Sequence, residues 1–168
     1  MTNPVQKALT KPFDALTAAE LESRNIFDCG ELTLNEYLTN KMRNHHDKNI
    51  AKSYLYTEND KILGYYTLTP TVIELNPDLA KKLKLPKHSL PAMLLARLAI
   101  DKSCQGKGFG ELLLAEAVIK SAAATKSVGG VGLVVDALHQ NASNFYQKYG
   151  FAPSPTNPLW LFMPLPSS

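Results

Sequence analysis

Residues 105–110, Gln105-Gly106-Lys107-Gly108-Phe109-Gly110, lie between a nearly continuous apolar run and a long segment rich in alanine and leucine. Glycine adopts the positive φ angles of a tight loop and lets a ligand approach the backbone closely. Alternate glycines that open a helix present unpaired N–H groups and the positive end of the helix dipole to an anion. The stretch therefore predicts a phosphate-binding loop.

Two common nucleotide-binding patterns do not fit this loop. The P-loop pattern Gly-x-x-x-x-Gly-Lys-Ser/Thr needs a hydroxyl side chain after Gly-Lys to hold magnesium, and none stands there. The dinucleotide pattern Gly-x-Gly-x-x-Gly fails because the glycines follow a Gly-x-Gly-x-Gly spacing, and no early βαβ unit surrounds them. The pattern that fits is Gln/Arg-x-x-Gly-x-Gly, with Gln105, Gly108 and Gly110 in the fixed positions.

Hydrophobic periodicity around the loop predicts alternating strands and helices in the second half of the chain. The predicted strands are 53–57 and 62–68, which form an antiparallel hairpin, then 92–100, 131–137 and 160–165. The predicted helices are 14–24, 32–46, 108–126 and 141–149, with a short basic helix beginning at Asn76-Pro77. The strand at 92–100 is almost wholly apolar, which is typical of a strand covered on both faces. This order favours an α/β fold with a partly parallel sheet.

Capping residues predict where the first helices begin. Thr17 is followed three places later by Glu20, and Thr33 by Glu36, so both pairs have the spacing of a capping box. On the long helix after the glycine loop, Glu116 falls with other charged residues on the face predicted to be exposed.

The glycine pattern resembles motif A of the GCN5-related N-acetyltransferases (GNAT), which bind the pyrophosphate of acetyl-CoA at this helix N-terminus. The segment 141–151, Asn-Ala-Ser-Asn-Phe-Tyr-Gln-Lys-Tyr-Gly-Phe, is similar to the closing segment of the same family. The resemblance implies an α/β (α+β) GNAT fold, a single domain over residues 1–168. Its mixed central sheet would have about six to seven strands, splayed between the fourth and fifth, with about four helices.

A finer resemblance points to a GNAT subgroup. It is carried by Phe27-Asp28-Cys29-Gly30, by Leu34 and by Tyr37-Leu38, and with later segments it spans about residues 13–165. That subgroup contains the toxins of type II toxin–antitoxin pairs. The resemblance implies acetylation of the α-amine of aminoacyl-tRNA, a block of translation, a ribbon-helix-helix antitoxin as partner and a homodimer.

The resemblance also implies the residues of the site. Tyr146 is the candidate general acid that protonates the departing CoA thiolate; the alternative is a packed aromatic side chain whose hydroxyl only hydrogen-bonds. No metal is expected. The expected acetyl-CoA-binding residues are Leu98, Ala99, Ile100, Gln105, Gly106, Lys107, Gly108, Phe109, Gly110 and Asn141.

No general base stands out, because Asp101 and Asp136 are expected to be solvent-facing strand ends. An α-amine has a pKa near 7.7–8.0, whereas a lysine amine has a pKa of about 10.4 and needs a base much more. The absence of a base therefore favours an α-amine as acceptor.

Arg97 is a charged residue inside an apolar strand, which costs free energy unless the charge is paired. Two roles stay open for it. It could hold the acceptor end of tRNA, or it could pair with an internal carboxylate.

Composition agrees with a cytoplasmic protein that neither crosses nor binds a membrane. The net charge of +3 is too small to indicate nucleic-acid binding alone, and solvated helix faces are the favoured interpretation of the lysine clusters. Cys29 and Cys104 lack metal-ligand spacing. Two alternative functions remain: a GNAT that acetylates a small amine, peptide or protein, and a non-catalytic CoA-binding regulator.

Overall fold

The structure is a computed structural model that describes residues 8–166. Its strands are β1 (Lys11–Pro12), β2 (Lys52–Glu58), β3 (Lys61–Ile73), β4 (Leu90–Ile100), β5 (Gly132–Asp136), β6 (Ala152–Ser154) and β7 (Asn157–Pro164). Its helices are α1 (Ala18–Glu22), α2 (Leu32–Glu36), α3 (Met42–Asp47), α4 (Pro77–Lys82), α5 (Phe109–Val128) and α6 (Gln140–Lys148). A π-helical turn, Tyr37–Lys41, joins α2 to α3, so that these segments form one interrupted helix.

The strands pair in the order β1-β2-β3-β4-β5-β7-β6, which confirms the predicted mixed sheet and its strand number. β4 and β5 are parallel and place Met93–Leu95 beside Leu133–Val135, while β5 and β6 each pair antiparallel with β7. β4 continues beyond these registered positions to Ile100. Residues 8–166 contain five α-helices when α2 and α3 are counted as one, which is close to the four expected.

The predicted hairpin at 53–57 and 62–68 corresponds to β2 and β3. Two residues connect the strands, Asn59 and Asp60, and both have positive φ angles, 51° and 62°. A two-residue connection of this kind matches the right-handed twist of the paired strands. The turn chemistry therefore fixes the register of the hairpin.

The capping box at the start of α1 is confirmed. The Thr17 hydroxyl accepts a hydrogen bond from the Glu20 N–H, and the Glu20 carboxylate accepts one from the Thr17 N–H. The basic helix α4 likewise begins as predicted, with Asn76 as its cap and Pro77 at its first position.

The predicted helix 32–46 differs from the structure in two ways. Thr33 does not cap it, because α2 begins at Leu32 and Thr33 already lies inside the first turn. The helix is also interrupted by the π turn, where the Thr39 hydroxyl donates to the carbonyls of Asn35 and Glu36. A threonine that bonds to the carbonyls of the preceding turn competes with the backbone ladder and distorts it.

Two further expectations are wrong. β4 is not covered on both faces, because Leu95 and Ala99 are buried whereas Leu94 and Leu98 are only half-buried. An apolar sequence does not by itself require burial, since many apolar side chains remain partly exposed in folded proteins. Glu116 is not a solvated residue of α5 either. Its carboxylate accepts hydrogen bonds from the backbone and hydroxyl of Thr10 and from the Tyr66 hydroxyl.

Contacts divide the chain into two compact units. The first unit comprises the described residues up to Thr67 together with Arg97–Ala117, and the second comprises Leu68–Ala96 with the described residues from Val118 onward. Each unit has its own cluster of buried side chains. The cluster of the first unit includes Phe27, Tyr37, Leu38, Met42, Leu55, Tyr65 and Ala99, and that of the second includes Ile73, Leu90, Ala92, Val134 and Phe162. Within residues 8–166, no helix combines the length and the apolar character that crossing a membrane requires.

Candidate functional site

The glycine loop of the first unit has the backbone conformation that the sequence predicts. Gly106 and Gly108 have φ angles of 75° and 85°, in the left-handed region that favours glycine. A Cβ atom added to either glycine would meet no atom within 4 Å, so the space beside the loop is open. The loop leads into α5, a helix of 20 residues, whose first N–H groups have no acceptor within the helix. With the exposed Lys107, this backbone fits an anionic group such as a phosphate.

Gln105 holds the loop in place through its side-chain amide. Its Nε2 atom donates to the carbonyl oxygens of Cys29 and Ile100, each at 2.8 Å. The amide is therefore bonded to the backbone and ties the start of the loop both to the end of β4 and to the segment before α2. Gln105 thus acts on the loop by positioning it.

The segment that carried the finer resemblance, Phe27 to Gly30, is hydrogen-bonded to the chain just before the loop. The N–H of Asp28 donates to the Asp101 carboxylate at 2.9 Å, and the N–H of Lys102 donates to the Asp28 carbonyl at 2.8 Å. The Lys102 ammonium lies 3.3 Å from the Asp28 carboxylate. This packing of two distant segments could not be deduced from the local sequence pattern.

The carboxylates of Asp101 and Asp28 are both engaged within the protein. Burial raises the pKa of Asp101, but hydrogen bonds from the Asp28 N–H and from Ser103 outweigh it and lower the pKa below its usual value. The pKa of Asp28 is lowered mainly by hydrogen bonds from the Gly30 N–H and from Asn35. Both groups are therefore weak proton acceptors, in keeping with the absence of a candidate general base. Asp101 is less solvent-facing than expected, while Asp136, at the end of β5, is exposed.

Tyr146 lies on α6 in the second unit and is buried, with 7% of its surface exposed. Its ring contacts those of Phe145 and Phe151 edge-on, at centroid distances of 5.3 and 5.6 Å. Burial raises the pKa of its hydroxyl, so the phenol stays protonated at neutral pH. No hydrogen bond joins this hydroxyl to another of the residues 8–166. It is thus a proton donor without an acceptor in the described protein.

The other predicted contacts lie on both units. In the first unit Leu98 and Ile100 are half-buried and Ala99 is buried. In the second, Asn141 is exposed in the first turn of α6. His139 caps that helix by accepting a hydrogen bond from the Ala142 N–H at 3.2 Å.

Arg97 is stacked on an aromatic ring. Its guanidinium carbon lies 3.7 Å from the ring centroid of Tyr37. Among residues 8–166, no carboxylate forms an ion pair with Arg97. The internal-carboxylate role is therefore not realised within this part of the chain.

Comparison with known proteins gives a family and relatives of stated activity. The family profile described as an acetyltransferase (GNAT) domain matches residues 49–153. The tRNA-acetylating toxin of Mycobacterium tuberculosis is 30% identical over 137 residues, which cover 82% of this chain and 82% of that protein.

Two solved structures are similar to this chain in three dimensions. AtaT complexed with acetyl-methionyl-tRNAfMet has a TM-score of 0.76 and 37% identity, covering 84% of this chain and 86% of its own. A tyrosine-to-phenylalanine mutant of AtaT, bound to the C-terminus of the antitoxin AtaR and to acetyl-CoA, has a TM-score of 0.72 and 36% identity. That match covers 84% of this chain and 85% of the mutant.

Proposed function

The chain belongs to the GNAT family of acetyltransferases, and we propose that it is a toxin that transfers acetyl from acetyl-CoA to the α-amine of aminoacyl-tRNA. An acetylated α-amine can no longer form a peptide bond, and translation is therefore blocked. The observation that carries the choice of acceptor is the relative of 30% identity, a tRNA-acetylating toxin matched over 82% of both chains.

The first unit supplies the binding groups for the donor. Acetyl-CoA provides an acetyl thioester, an activated acyl group. The open backbone of Gly106, Lys107 and Gly108 and the first N–H groups of α5, at Phe109 and Gly110, bind its pyrophosphate. The backbone N–H and C=O groups of Leu98, Ala99 and Ile100, at the end of β4, bind the pantetheine amides. Asn141 is a further proposed acetyl-CoA-binding residue.

The acceptor nitrogen forms the new C–N bond as the C–S bond of the thioester breaks, and Tyr146 donates the proton that the leaving thiolate requires. The proton that the amine loses passes through solvent and returns the Tyr146 phenolate to the phenol. A free thiol has a pKa of about 8.5, so a thiolate leaving near neutral pH is stabilised when a donor protonates it. The raised pKa of the Tyr146 hydroxyl keeps the donor protonated, and the absence of a hydrogen-bond partner within residues 8–166 leaves its proton available.

The acceptor needs little assistance from the protein. An α-amine with a pKa near 7.7–8.0 is partly neutral at pH 7, and esterification of its carboxyl group lowers that pKa further. Asp28 and Asp101, whose pKa values are lowered, are not required as bases. Arg97 binds the acceptor end through a phosphate group.

The antitoxin partner is proposed from the same group of solved structures. We expect a ribbon-helix-helix antitoxin to neutralise this protein, since AtaT is solved with the C-terminus of its antitoxin AtaR. We also expect a homodimer, and activity in the cytoplasm, where aminoacyl-tRNA is found.

The direct test is to incubate the protein with acetyl-CoA and total aminoacyl-tRNA, and to detect N-acetyl-aminoacyl products by mass spectrometry after hydrolysis. Product is expected on at least one isoacceptor. Acetylation of free amines or peptides, with none on any isoacceptor, would refute the tRNA proposal and support the alternative acceptor class.

The proton donor is tested by Tyr146→Phe, with Tyr149→Phe, at the residue that follows α6, as the matched control. General acid catalysis contributes about 10²–10⁴-fold, so Tyr146→Phe is expected to lower kcat by at least about 100-fold. Tyr149, whose ring packs on Phe145 at 5.1 Å, should tolerate loss of its hydroxyl within about threefold. Unchanged kcat for Tyr146→Phe would contradict its role as the acid.

A further inference from the structure

The ring of Tyr37 covers one face of the Arg97 guanidinium group and leaves the edge that carries the N–H donors uncovered. A guanidinium group carries its N–H donors in its own plane, so a ring stacked 3.7 Å from its central carbon covers a face and leaves the donors free. No residue of 8–166 accepts a hydrogen bond from these nitrogens, and they are not among the enclosed polar atoms that lack a partner. The nitrogens therefore reach solvent with their donors unused by the described protein.

The ring that covers Arg97 is itself fixed on several sides. Tyr37 is 2% exposed, and its hydroxyl is hydrogen-bonded to Nδ1 of His45 at 3.0 Å. Its ring also packs on that of Tyr65, at a centroid distance of 6.3 Å, and the Tyr65 hydroxyl donates to the Leu34 carbonyl at 2.6 Å. Tyr37 therefore has little freedom to move away from the guanidinium.

The π turn explains why Tyr37 and His45 meet. They are separated by eight residues, and the π turn at Tyr37–Lys41 lies between them. Eight residues of α-helix advance about 12 Å along the axis, and a π turn shortens this advance and rotates the following residues. The interruption thus lets a residue of α3 anchor the hydroxyl of the residue that begins the π turn.

We propose that Tyr37 is a positioning residue for acceptor binding. Its ring, anchored by His45 across the π turn, holds the guanidinium plane of Arg97 so that the N–H edge faces a phosphate of the single-stranded acceptor end. The inference rests on the proposed function, because that function supplies the phosphate ligand. An arginine fork held in one plane binds a phosphate through two parallel hydrogen bonds, which a freely rotating side chain does less well.

The kinetic test compares Tyr37→Leu, Tyr37→Phe and Arg97→Gln, with KM measured separately for aminoacyl-tRNA and for acetyl-CoA. Tyr37→Leu removes the stacking surface and is expected to raise KM for aminoacyl-tRNA about tenfold, while KM for acetyl-CoA stays within about twofold. Tyr37→Phe keeps the ring and loses only the bond to His45, so it should raise KM for aminoacyl-tRNA less than Tyr37→Leu does, by about threefold. The double variant Tyr37→Leu/Arg97→Gln should be no worse than Arg97→Gln alone, because Tyr37 acts through Arg97.

Since Tyr37 is buried, Arg97→Lys tests the same contact from the less buried partner. Lysine keeps the positive charge but has no plane to stack, so KM for aminoacyl-tRNA should again rise about tenfold. An unchanged KM for Arg97→Lys, or Tyr37→Leu and Arg97→Gln effects that multiply in the double variant, overturns the inference.

Binding of uncharged tRNA, followed by fluorescence anisotropy, separates this inference from the proposed function. Wild-type protein that makes no N-acetyl-aminoacyl-tRNA refutes the function. If that protein still binds tRNA, and Tyr37→Leu and Arg97→Gln weaken binding non-additively, the positioning role stands without the function. A wild-type protein that acetylates tRNA, with variants that bind it equally well, refutes the positioning role alone.

Discussion

Gln105 shows how one side chain can support a binding loop that ligands reach through its backbone. Both hydrogens of its amide are used, one toward Cys29 and one toward Ile100. Replacement by methionine keeps the length and removes both bonds, each of which contributes about 1 kcal/mol. We expect Gln105→Met to raise KM for acetyl-CoA about tenfold and to lower the thermal midpoint by several degrees, measured by steady-state kinetics and calorimetry.

Lys107→Met is the informative comparison for that variant. Lys107 is exposed and contributes charge to the loop, so its loss should raise KM for acetyl-CoA in a salt-dependent way and leave the thermal midpoint within about one degree. Gln105→Met with an unshifted midpoint would mean that the two hydrogen bonds do not hold the loop.

Glu20 makes the stability of the first unit dependent on pH. Burial raises its pKa, but hydrogen bonds from Lys11, from the Thr17 N–H and from Thr57 outweigh this and hold the pKa at about 2, below the ordinary 4.5. A carboxyl whose pKa is lowered by folding stabilises the protein above its unfolded pKa, and that stability is lost as pH falls. We expect a loss of about 2 to 3 kcal/mol between about pH 5 and pH 2, measured by denaturant unfolding.

Glu20→Gln should flatten the stability profile in this pH window and cost a similar amount at pH 7. Glu22, exposed on the same helix, provides the control, and Glu22→Gln should keep the wild-type profile. Wild-type stability that does not change between pH 5 and pH 2 would show that Glu20 is not held as an ion by its partners.

Among the elements, those with long periodic sequences could be predicted and the others could not. The helix after the glycine loop and the hairpin follow from apolar spacing and turn residues, which are local signals. β1 and β6 have two and three residues, too few for any period to appear. The π turn depends on Thr39 bonding to carbonyls of the preceding turn, a choice that helical spacing does not reveal.

In the candidate site too, some features could be predicted from the sequence and others could not. The loop at 105–110 is a contiguous pattern, so its conformation could be expected from glycine alone. The support that Cys29 gives to Gln105 spans 76 residues, and the stack of Arg97 on Tyr37 brings a strand residue to a helix residue. Such contacts follow from tertiary packing, and the sequence could only mark their residues as unusual.

Gly64 and Gly106 differ in how much space the surrounding atoms leave for a side chain. A Cβ atom at Gly64, in β3, would lie 2.9 Å from Ile100 Cδ1 and 3.2 Å from the Ala99 carbonyl, whereas one at Gly106 would meet nothing within 4 Å. Gly64→Ala should therefore displace the end of β4, lower stability by about 1–3 kcal/mol and raise KM for acetyl-CoA. Gly106→Ala should cost about 1 kcal/mol through its positive φ.

The order of these two effects is the measurable outcome. Thermal denaturation should rank Gly64→Ala as the less stable variant, although alanine is small in both cases. If Gly64→Ala is as stable as the wild type and binds acetyl-CoA normally, then β4 does not depend on the close approach of the Gly64 backbone.

For the whole molecule, we propose that residues 1–168 behave as one domain. The boundaries of the two compact units, after Thr67, Ala96 and Ala117, fall inside β3, β4 and α5. Domain boundaries ordinarily fall in exposed linkers that few contacts cross. A boundary inside a hydrogen-bonded strand or helix means that melting one unit breaks the backbone hydrogen bonds of an element that continues into the other.

A chain that behaves as one domain should unfold in a single cooperative transition. In calorimetry the measured enthalpy should equal the van't Hoff enthalpy within about 10%, and far-UV circular dichroism and Trp160 fluorescence should give the same midpoint. Trp160 fluorescence reports on the second unit, whereas Glu20→Gln destabilises the first unit. A cooperative chain should show the same shift of midpoint by both signals in that variant. A Trp160 midpoint that stays at the wild-type value while the dichroism midpoint falls would contradict one domain, because the second unit would then be unfolding independently of the first.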